Sequence, residues 1–292
     1  VNILTLNLHT YQEVPFKEYD NILSFLEKYK PIQEAIAGLI IQKRVDIAFF
    51  QEAGQYIHEE PDINIQGIAI KKSNYVRILT EMLSDKRKNY YFVWDISHYG
   101  FGIWEEGLGI LSKFPIVEFE SRYVSKHTCL DTFYSRKIIR ARVQAEKEQP
   151  DLYCVHLNWA EAGFVEEFSN LVKWIEEIGN ENFVIAGDFN VPYGSDEYEL
   201  IVNTKVLGRK LIDAWIVANP DRPVQPTFGG DVISESTARI DYIFIPEGWE
   251  VARAEIVFDK ERVSDHMGVF CEVKSYFHRF EVKENCLLKN GK

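Results

Sequence analysis

Nine short runs of apolar, largely β-branched and aromatic residues recur along the chain, at 1–6, 46–50, 90–94, 108–111, 138–143, 152–155, 183–186, 240–245 and 269–273. Each is the length of a strand and too apolar to lie on a surface, so each reads as a buried strand. Between two of them, Ile32, Ala35, Ile36, Leu39 and Ile40 recur at helical spacing and predict a helix over 31–44, with Pro31 in the first turn, where a missing N–H is tolerated. Phe164, Phe168, Leu171, Val172, Ile175 and Ile178 form a second stripe, and Gly179 supplies its stop. Strands that outnumber helices and mix with them predict layered sheets flanked by helices. No internal repeat at a fixed period is present.

At 292 residues, with 46% hydrophobic and 14% aromatic side chains, the chain can bury a large core and is not of disordered composition. The reading is one catalytic unit over 1–275 and a tail, 276–292, that adds an edge strand or stays free. No apolar run is long enough to span a bilayer, and VNILTLN reads as a strand rather than a signal peptide, so a cytoplasmic protein without membrane partners is expected. Cys129, Cys154, Cys271 and Cys286 show no metal or redox spacing, and two of them sit in apolar runs, as core residues do. Net charge is −12 and the Lys and Arg residues are scattered, which disfavours nucleic acid as a partner without excluding it.

The positions of the polar residues say more. Four apolar runs end abruptly at Asn7, Glu52, His156 and the Asp188/Asn190 pair, while Asp241 opens DYIFI and Asp265 and His266 precede MGVFCEV. Strands arriving at a rim and strands leaving it place all these residues on one edge of mixed or antiparallel sheets. Singly, each has an ordinary explanation: Asn7 ends a strand, GDFN and VSDHMG form turns, and His156 is a satisfied core histidine. Glu52 is harder to explain away, because a carboxylate after IAFFQ is costly unless paired or ligated. The coincidence of all of them in chain order favours a site.

At these residues the sequence resembles the endonuclease/exonuclease/phosphatase superfamily, whose fold is DNase I-like. The motifs are LTLN at Asn7, FFQEA at Glu52, EGLGILSKFPI from Glu106, VHLNW at His156, AGDFNVP at Asp188, RIDYIF at Asp241 and VSDH at Asp265. Their order and spacing extend from the first strand to the last. The resemblance implies an α/β four-layer sandwich, two mixed sheets packed face to face with helices outside, and a metal-dependent phosphoesterase. It implies Asn7, Glu52 and Asp265 as ligands of Mg2+ or Mn2+, ions that suit oxygen donors. Asp188 would orient or deprotonate the attacking water, and Asn190 would donate to the phosphoryl oxygen. His266 would pair with Asp241. His156 would bind a phosphate oxygen or assist the leaving group, with Glu106 as its candidate carboxylate partner. Which histidine acts as acid and which as base is left open. His9 stands where abasic-site nucleases of the superfamily carry an acidic residue, which argues against DNA repair.

The fold hosts nucleases, sphingomyelinases and sugar-phosphate phosphatases, so the rim loops must select among substrates. Tyr99, Phe101, Trp104 and Trp159 serve either stacking on a sugar or base, or packing. Among Arg136, Lys137 and Arg140, one is expected to hold a phosphate, and Arg140 together with Trp159 is taken as substrate-binding. The acidic stretch YIHEEPDIN reads as a solvated insertion. The run EEGLGILSKFPI, SRKIIRARV, VHLNW, GDFN, PTFGG and ARIDYIF is most similar to maltose 6'-phosphate phosphatase-like members, which implies a small sugar phosphate as substrate. A nuclease is the main rival; a sphingomyelinase-like diesterase or a binding module without chemistry is weaker.

Overall fold

The computed structural model describes residues 1–86, 89–145, 148–229 and 237–274. The 276–292 tail lies outside the described residues. Two sheets dominate. The first runs in the order Glu250–Val257, Gly268–Lys274, Asn2–Asn7, Ile47–Tyr56, Trp104–Ser112, Tyr91–Gly100. The second runs Lys205–Val206, Arg209–Asp213, Asp241–Pro246, Phe183–Asp188, Asp151–His156, Lys137–Val143, Ile116–Tyr123. Each contains one parallel pair, Asn2–Asn7 with Ile47–Tyr56 and Asp151–His156 with Phe183–Asp188, and is otherwise antiparallel. The parallel strands sit in the sheet interiors, covered on both faces, which is why their sequences are nearly continuous apolar runs.

Strand alternation then divides the core in three. Ile3, Ile47, Phe49, Ile110, Ile139, Cys154, Val184, Ile243 and Cys271 point inward and fill the space between the sheets. Leu4, Leu6, Ala48 and Phe50 face outward and are covered by the helices Ile22–Gln42 and Tyr75–Asp85. On the other outside, Tyr153, Val155, Ile185 and Phe244 are covered by Phe164–Ile178 and Asp196–Asn203. Three cores between four layers are the expected α/β sandwich.

Two local expectations change. Pro31 lies inside the Ile22–Gln42 helix rather than in its first turn. The helix starts at an Asn21 cap that accepts from Ser24 N–H at 3.0 Å, and its first two turns bury Phe25 and Tyr29, so tertiary packing carries it past an exposed proline. The strands Ile116–Tyr123, Arg209–Asp213 and Glu250–Val257 carry no clear apolar signal in the sequence. Two of these are sheet edges, where charged side chains replace the hydrophobic alternation.

Candidate active site

The two parallel pairs end at the same rim. In the first sheet, Asn7 lies beside Gln51, one residue before Glu52. In the second, Asp188 lies between His156 on one side and Asp241 on the other. The returning strand Gly268–Lys274 is preceded by Asp265 and His266, and His266 bridges back to Phe228. The structure thereby brings Asn7, Glu52, His156, Asp188, Asn190, Asp241, Asp265 and His266 together around one cleft of about 610 Å³.

The backbone is strained where it delivers these groups. Gln51 and Glu52 together oppose a single residue of the neighbouring strand, and Glu52 adopts φ +49° in that bulge. The three residues His9, Thr10 and Tyr11 are all left-handed, with φ of 47°, 44° and 64°. Such a conformation costs roughly 1–2 kcal/mol per L-residue. Asn190 is left-handed as well, at φ +54°, and Gly187 before Asp188 has φ +149°, with Val155 O only 2.0 Å from where a Cβ would stand. Strain gathered at one rim is the usual mark of a site that packing over-determines.

Hydrogen bonds fix the side chains. Asn7 Nδ2 donates to Glu52 Oε1 at 3.0 Å and to Asp188 Oδ2 at 3.1 Å, while its Oδ1 accepts from His9 N–H at 2.9 Å. As placed, Asn7 brackets two carboxylates, and service as an oxygen ligand would require its amide to turn over. Asp188 Oδ1 accepts from Asn190 N–H at 2.8 Å. Thr10 hydroxyl lies 2.8 Å from Glu106 Oε2 and 3.3 Å from Glu52 Oε2. Burial, then the negative charge of Asp241, pushes Asp188 up to about 7. Burial, then Glu52, pushes Glu106 up to about 8, and burial also raises Asp265. Carboxylates that hold protons against one another in this way form a donor set suited to a hard divalent cation, which would take the protons' place.

The histidines differ in kind. His266 Nδ1 meets Asp241 Oδ2 at 2.9 Å; burial opposes its charge, but Asp241 and Asp188 raise it to about 10, which favours the imidazolium form. His156 is held well below its ordinary value by burial and by Arg136. Arg136 Nη1 can only donate to His156 Nδ1, at 3.1 Å, which puts the His156 proton on Nε2, 3.6 Å from Asp188 Oδ2 and 3.9 Å from Glu52 Oε1. Glu52, Glu106 and His156 are close enough to share an ion, as are Asp188, Asp241 and His266. His156 is nevertheless a poor ligand, since its inward nitrogen carries the hydrogen.

Several assignments are corrected. Glu106 makes no hydrogen bond to His156; it faces Thr10 and His98, whose Nε2 is 3.2 Å from Glu106 Oε1. Arg140 does not reach the cleft. Strand alternation puts it on the outer face with Ile138, where it is fully buried against Asp151, Glu120 and Glu118 at 2.7–2.9 Å. Lys137 pairs with Asp95, and Trp104 is buried, stacked on Tyr11 at 4.7 Å. Of these three basic residues, the one that lines the cleft is Arg136. Tyr99, Phe101 and Trp159 do line it, joined by Phe133 and Phe228. In the acidic stretch, Glu59 accepts from Ser73 and Asp62 pairs with Arg77, away from the cleft. His98 was not singled out in the sequence; its only signal is a second histidine a few residues before EEGLG.

The Endonuclease/Exonuclease/phosphatase family description matches residues 5–266. The chain belongs to this family. It is accordingly a hydrolase acting on phosphate-ester bonds, of a family that works with divalent metal. Its fold is similar to that of an endonuclease/exonuclease/phosphatase family protein from Leptotrichia buccalis, with TM-score 0.77 and 24% identity over 94% of this chain and 99% of that one. A mannosyl-6-phosphatase from Bacteroides thetaiotaomicron is similar with TM-score 0.62 and 18% identity, over 94% and 99% of the two chains. D. rerio TDP2 complexed with single strand DNA product is similar with TM-score 0.63 and 16% identity, again over 94% and 99%. No curated protein matches the chain by sequence. Among the described residues, no helix is long and apolar enough to cross a membrane.

Proposed function

We propose that the protein is a phosphomonoesterase that removes phosphate from a small sugar phosphate with Mg2+ or Mn2+ bound at Glu52 and Asp265, Asn7 joining them or holding them in place. The observation that carries this reading is the cleft itself. Its volume suits a small molecule, and it sets a carboxylate and histidine floor beneath aromatic walls at Tyr99, Phe101, Phe133 and Trp159. The similar mannosyl-6-phosphatase, by its name, acts on a sugar phosphate, which supports the same class here.

In this reading the cation, when bound, neutralises the phosphate oxygens and so permits attack by water. Asp188, poised near neutral pH, orients that water and receives its proton. The His266 imidazolium, fixed by Asp241, donates to a phosphoryl oxygen as charge builds, with Asn190 beside it. His156, locked as an Nε2–H donor, holds another oxygen, and Arg136 presents its remaining N–H groups to the dianion. Aromatic faces at Tyr99 and Trp159 receive the sugar.

The rival nuclease reading shares the floor, and the walls would stack a base equally well. It is favoured by the single-stranded DNA product bound to TDP2 and opposed by a net charge of −12 with no basic track. One assay separates them: purified protein with Mg2+ or Mn2+ is given a panel of sugar monophosphates beside single- and double-stranded DNA. Phosphate release from a sugar phosphate with intact DNA is expected; cleavage of DNA without turnover of any monoester would overturn the proposal.

A further inference from the structure

We propose that Glu167, on the helix behind the cleft, is a positioning residue for phosphate recognition: acting through Asn158, it sets the direction of the Arg136 guanidinium and leaves its charge for the substrate. The inference rests on the reading of Arg136 as a phosphate-binding group and goes beyond it in naming the residue that aims it.

Glu167 lies in the first turn of Phe164–Ile178, where the helix dipole favours a carboxylate. Its neighbour Glu166 meets that preference from the surface, whereas Glu167 is only 1% exposed. A carboxylate so buried is costly unless something pairs with it. No lysine or arginine among the described residues forms an ion pair with Glu167; both of its oxygens are taken by one residue. Asn158 N–H donates to Glu167 Oε2 at 2.8 Å, and Asn158 Nδ2 donates to Oε1 at 2.6 Å, so backbone and side chain of Asn158 are fixed together. Burial raises the carboxyl, and these two hydrogen bonds and the charge of Arg136 oppose the rise.

That grip decides which way the Asn158 amide faces. Nδ2 also donates to the carbonyl oxygen of Tyr134 at 2.9 Å, so its two hydrogens meet two acceptors. Oδ1 is thereby turned to Arg136 Nε, which can only donate, at 3.0 Å. An inverted amide would set donor against donor at Arg136 and acceptor against acceptor at Glu167 and Tyr134. Arg136 Nη1 meets His156 Nδ1 at 3.1 Å, and the remaining N–H groups are left to the cleft that Arg136 lines.

A carboxylate placed directly on Arg136 would orient it but also cancel its charge, as Asp151 does for Arg140. With a neutral amide between, the negative charge polarises Asn158 and strengthens Oδ1 as an acceptor, since linked hydrogen bonds reinforce one another in a buried place. Arg136 is itself only 4% exposed, and the charge it keeps is available to a phosphate dianion. A site built in this way favours a doubly charged monoester over a singly charged diester.

Calorimetric titration with inorganic phosphate, in mildly alkaline buffer containing Mg2+, reads the site without turnover. Glu167→Gln keeps the shape but offers one acceptor where two are needed, and affinity for phosphate should fall about tenfold, the lower end of the worth of a charged hydrogen bond. KM for p-nitrophenyl phosphate should rise by the same factor, kcat should change less, and KM for the bis-ester should hardly move. Glu167→Gln combined with Asn158→Asp moves the carboxylate one residue closer and neutralises Arg136, so phosphate affinity should fall further, by about 100-fold. A folded Glu167→Gln with lowered melting temperature and wild-type phosphate affinity would make Glu167 merely structural and overturn the proposal, as would a double variant that binds phosphate as the wild type does. Should neither variant fold, wild-type crystals soaked in phosphate decide: an anion on Arg136, with Nε still on Asn158, supports the proposal, and an anion that leaves Arg136 untouched overturns it. A wild type that binds phosphate through Arg136 yet hydrolyses no monoester would overturn the proposed function and leave the positioning role standing.

Discussion

Arg136 and Arg140 are four residues apart, both buried, and opposite in their surroundings. Arg140 is met by Asp151, Glu118 and Glu120, and Arg142 and Asn180 close the remaining valences of Asp151. Arg136 is met only by neutral groups, Asn158 and His156, with Trp159 at 5.8 Å, and no carboxylate among the described residues pairs with it. Asn158 is in turn gripped by Glu167 at 2.6 and 2.8 Å, so the guanidinium is positioned without being neutralised. The same contrast holds for the anions. Asp151 is surrounded by cations, whereas Glu106, Asp188 and Asp265 at the cleft are all pushed towards protonation. A buried charge that carries its own counter-ions is scaffold; a group of buried charges that lack theirs is waiting for a ligand.

The comparison fails or holds first at Asp188 and Arg140. Asp188→Asn should lower kcat by about 10²–10⁴-fold, the range for loss of a general base. The melting temperature should stay level or rise, because one of several mutually repelling buried carboxylates is gone. Initial rates and thermal melts check this, and a large fall in melting temperature would move Asp188 into the scaffold. Arg140→Met should do the reverse, lowering stability by about 3–5 kcal/mol because Asp151 loses its principal partner. Urea unfolding measures that loss, and KM of the folded enzyme should be little changed. A raised KM with intact stability would return Arg140 to the substrate site.

How much of this the sequence disclosed depended on where polar residues fell relative to apolar runs. Asn7, Glu52, His156, Asp188, Asp241 and Asp265 were legible because each terminates or opens a run that must be buried. His98 was not, since the bulge between Ile96 and His98 breaks the two-residue alternation and the strand appeared to end at Trp94. The choice of Arg140 over Arg136 failed for a related reason. Alternation shows that Arg140 and Ile138 share a face, but the sequence alone does not reveal that this face is turned away from the cleft and lined by Glu118 and Glu120 from an edge strand with almost no apolar signal. Trp104, set among glycines and glutamates, gave no hint of the aromatic cluster with Tyr11, Phe16 and Phe25 that buries it.

A smaller effect sharpens the role of Arg136. Arg136→Gln keeps a donor beside Asn158 but removes the charge, and kcat/KM for a phosphomonoester should fall by about 10–100-fold, the worth of a charged hydrogen bond. A diester monoanion should lose less, so the ratio of rates on p-nitrophenyl phosphate and its bis-ester is the measurement; equal losses on both would mean that Arg136 acts only by orienting His156.

The smallest effect concerns pH, and its sign follows from which state holds more protons. Between pH 6.5 and 8 the cation-free folded protein retains protons on Asp188 (about 7), Glu106 (about 8), His9 (about 8) and His266 (about 10) that the unfolded chain has released or is releasing. The folded state binds more protons, so stability falls as pH rises through this window. His98 (about 4) and His156, both pushed down, act in the opposite sense, but mainly below their ordinary value of 6.5. Each kcal/mol lost corresponds to roughly 2–4 °C, and saturating Mg2+ should remove the share carried by Asp188 and Glu106, whose protons the ion would replace, while leaving that of His9 and His266. A melting temperature that rises with pH in the absence of cation would mean that the cleft carboxylates are balanced from within, and that the two ends of the sheet do not differ after all.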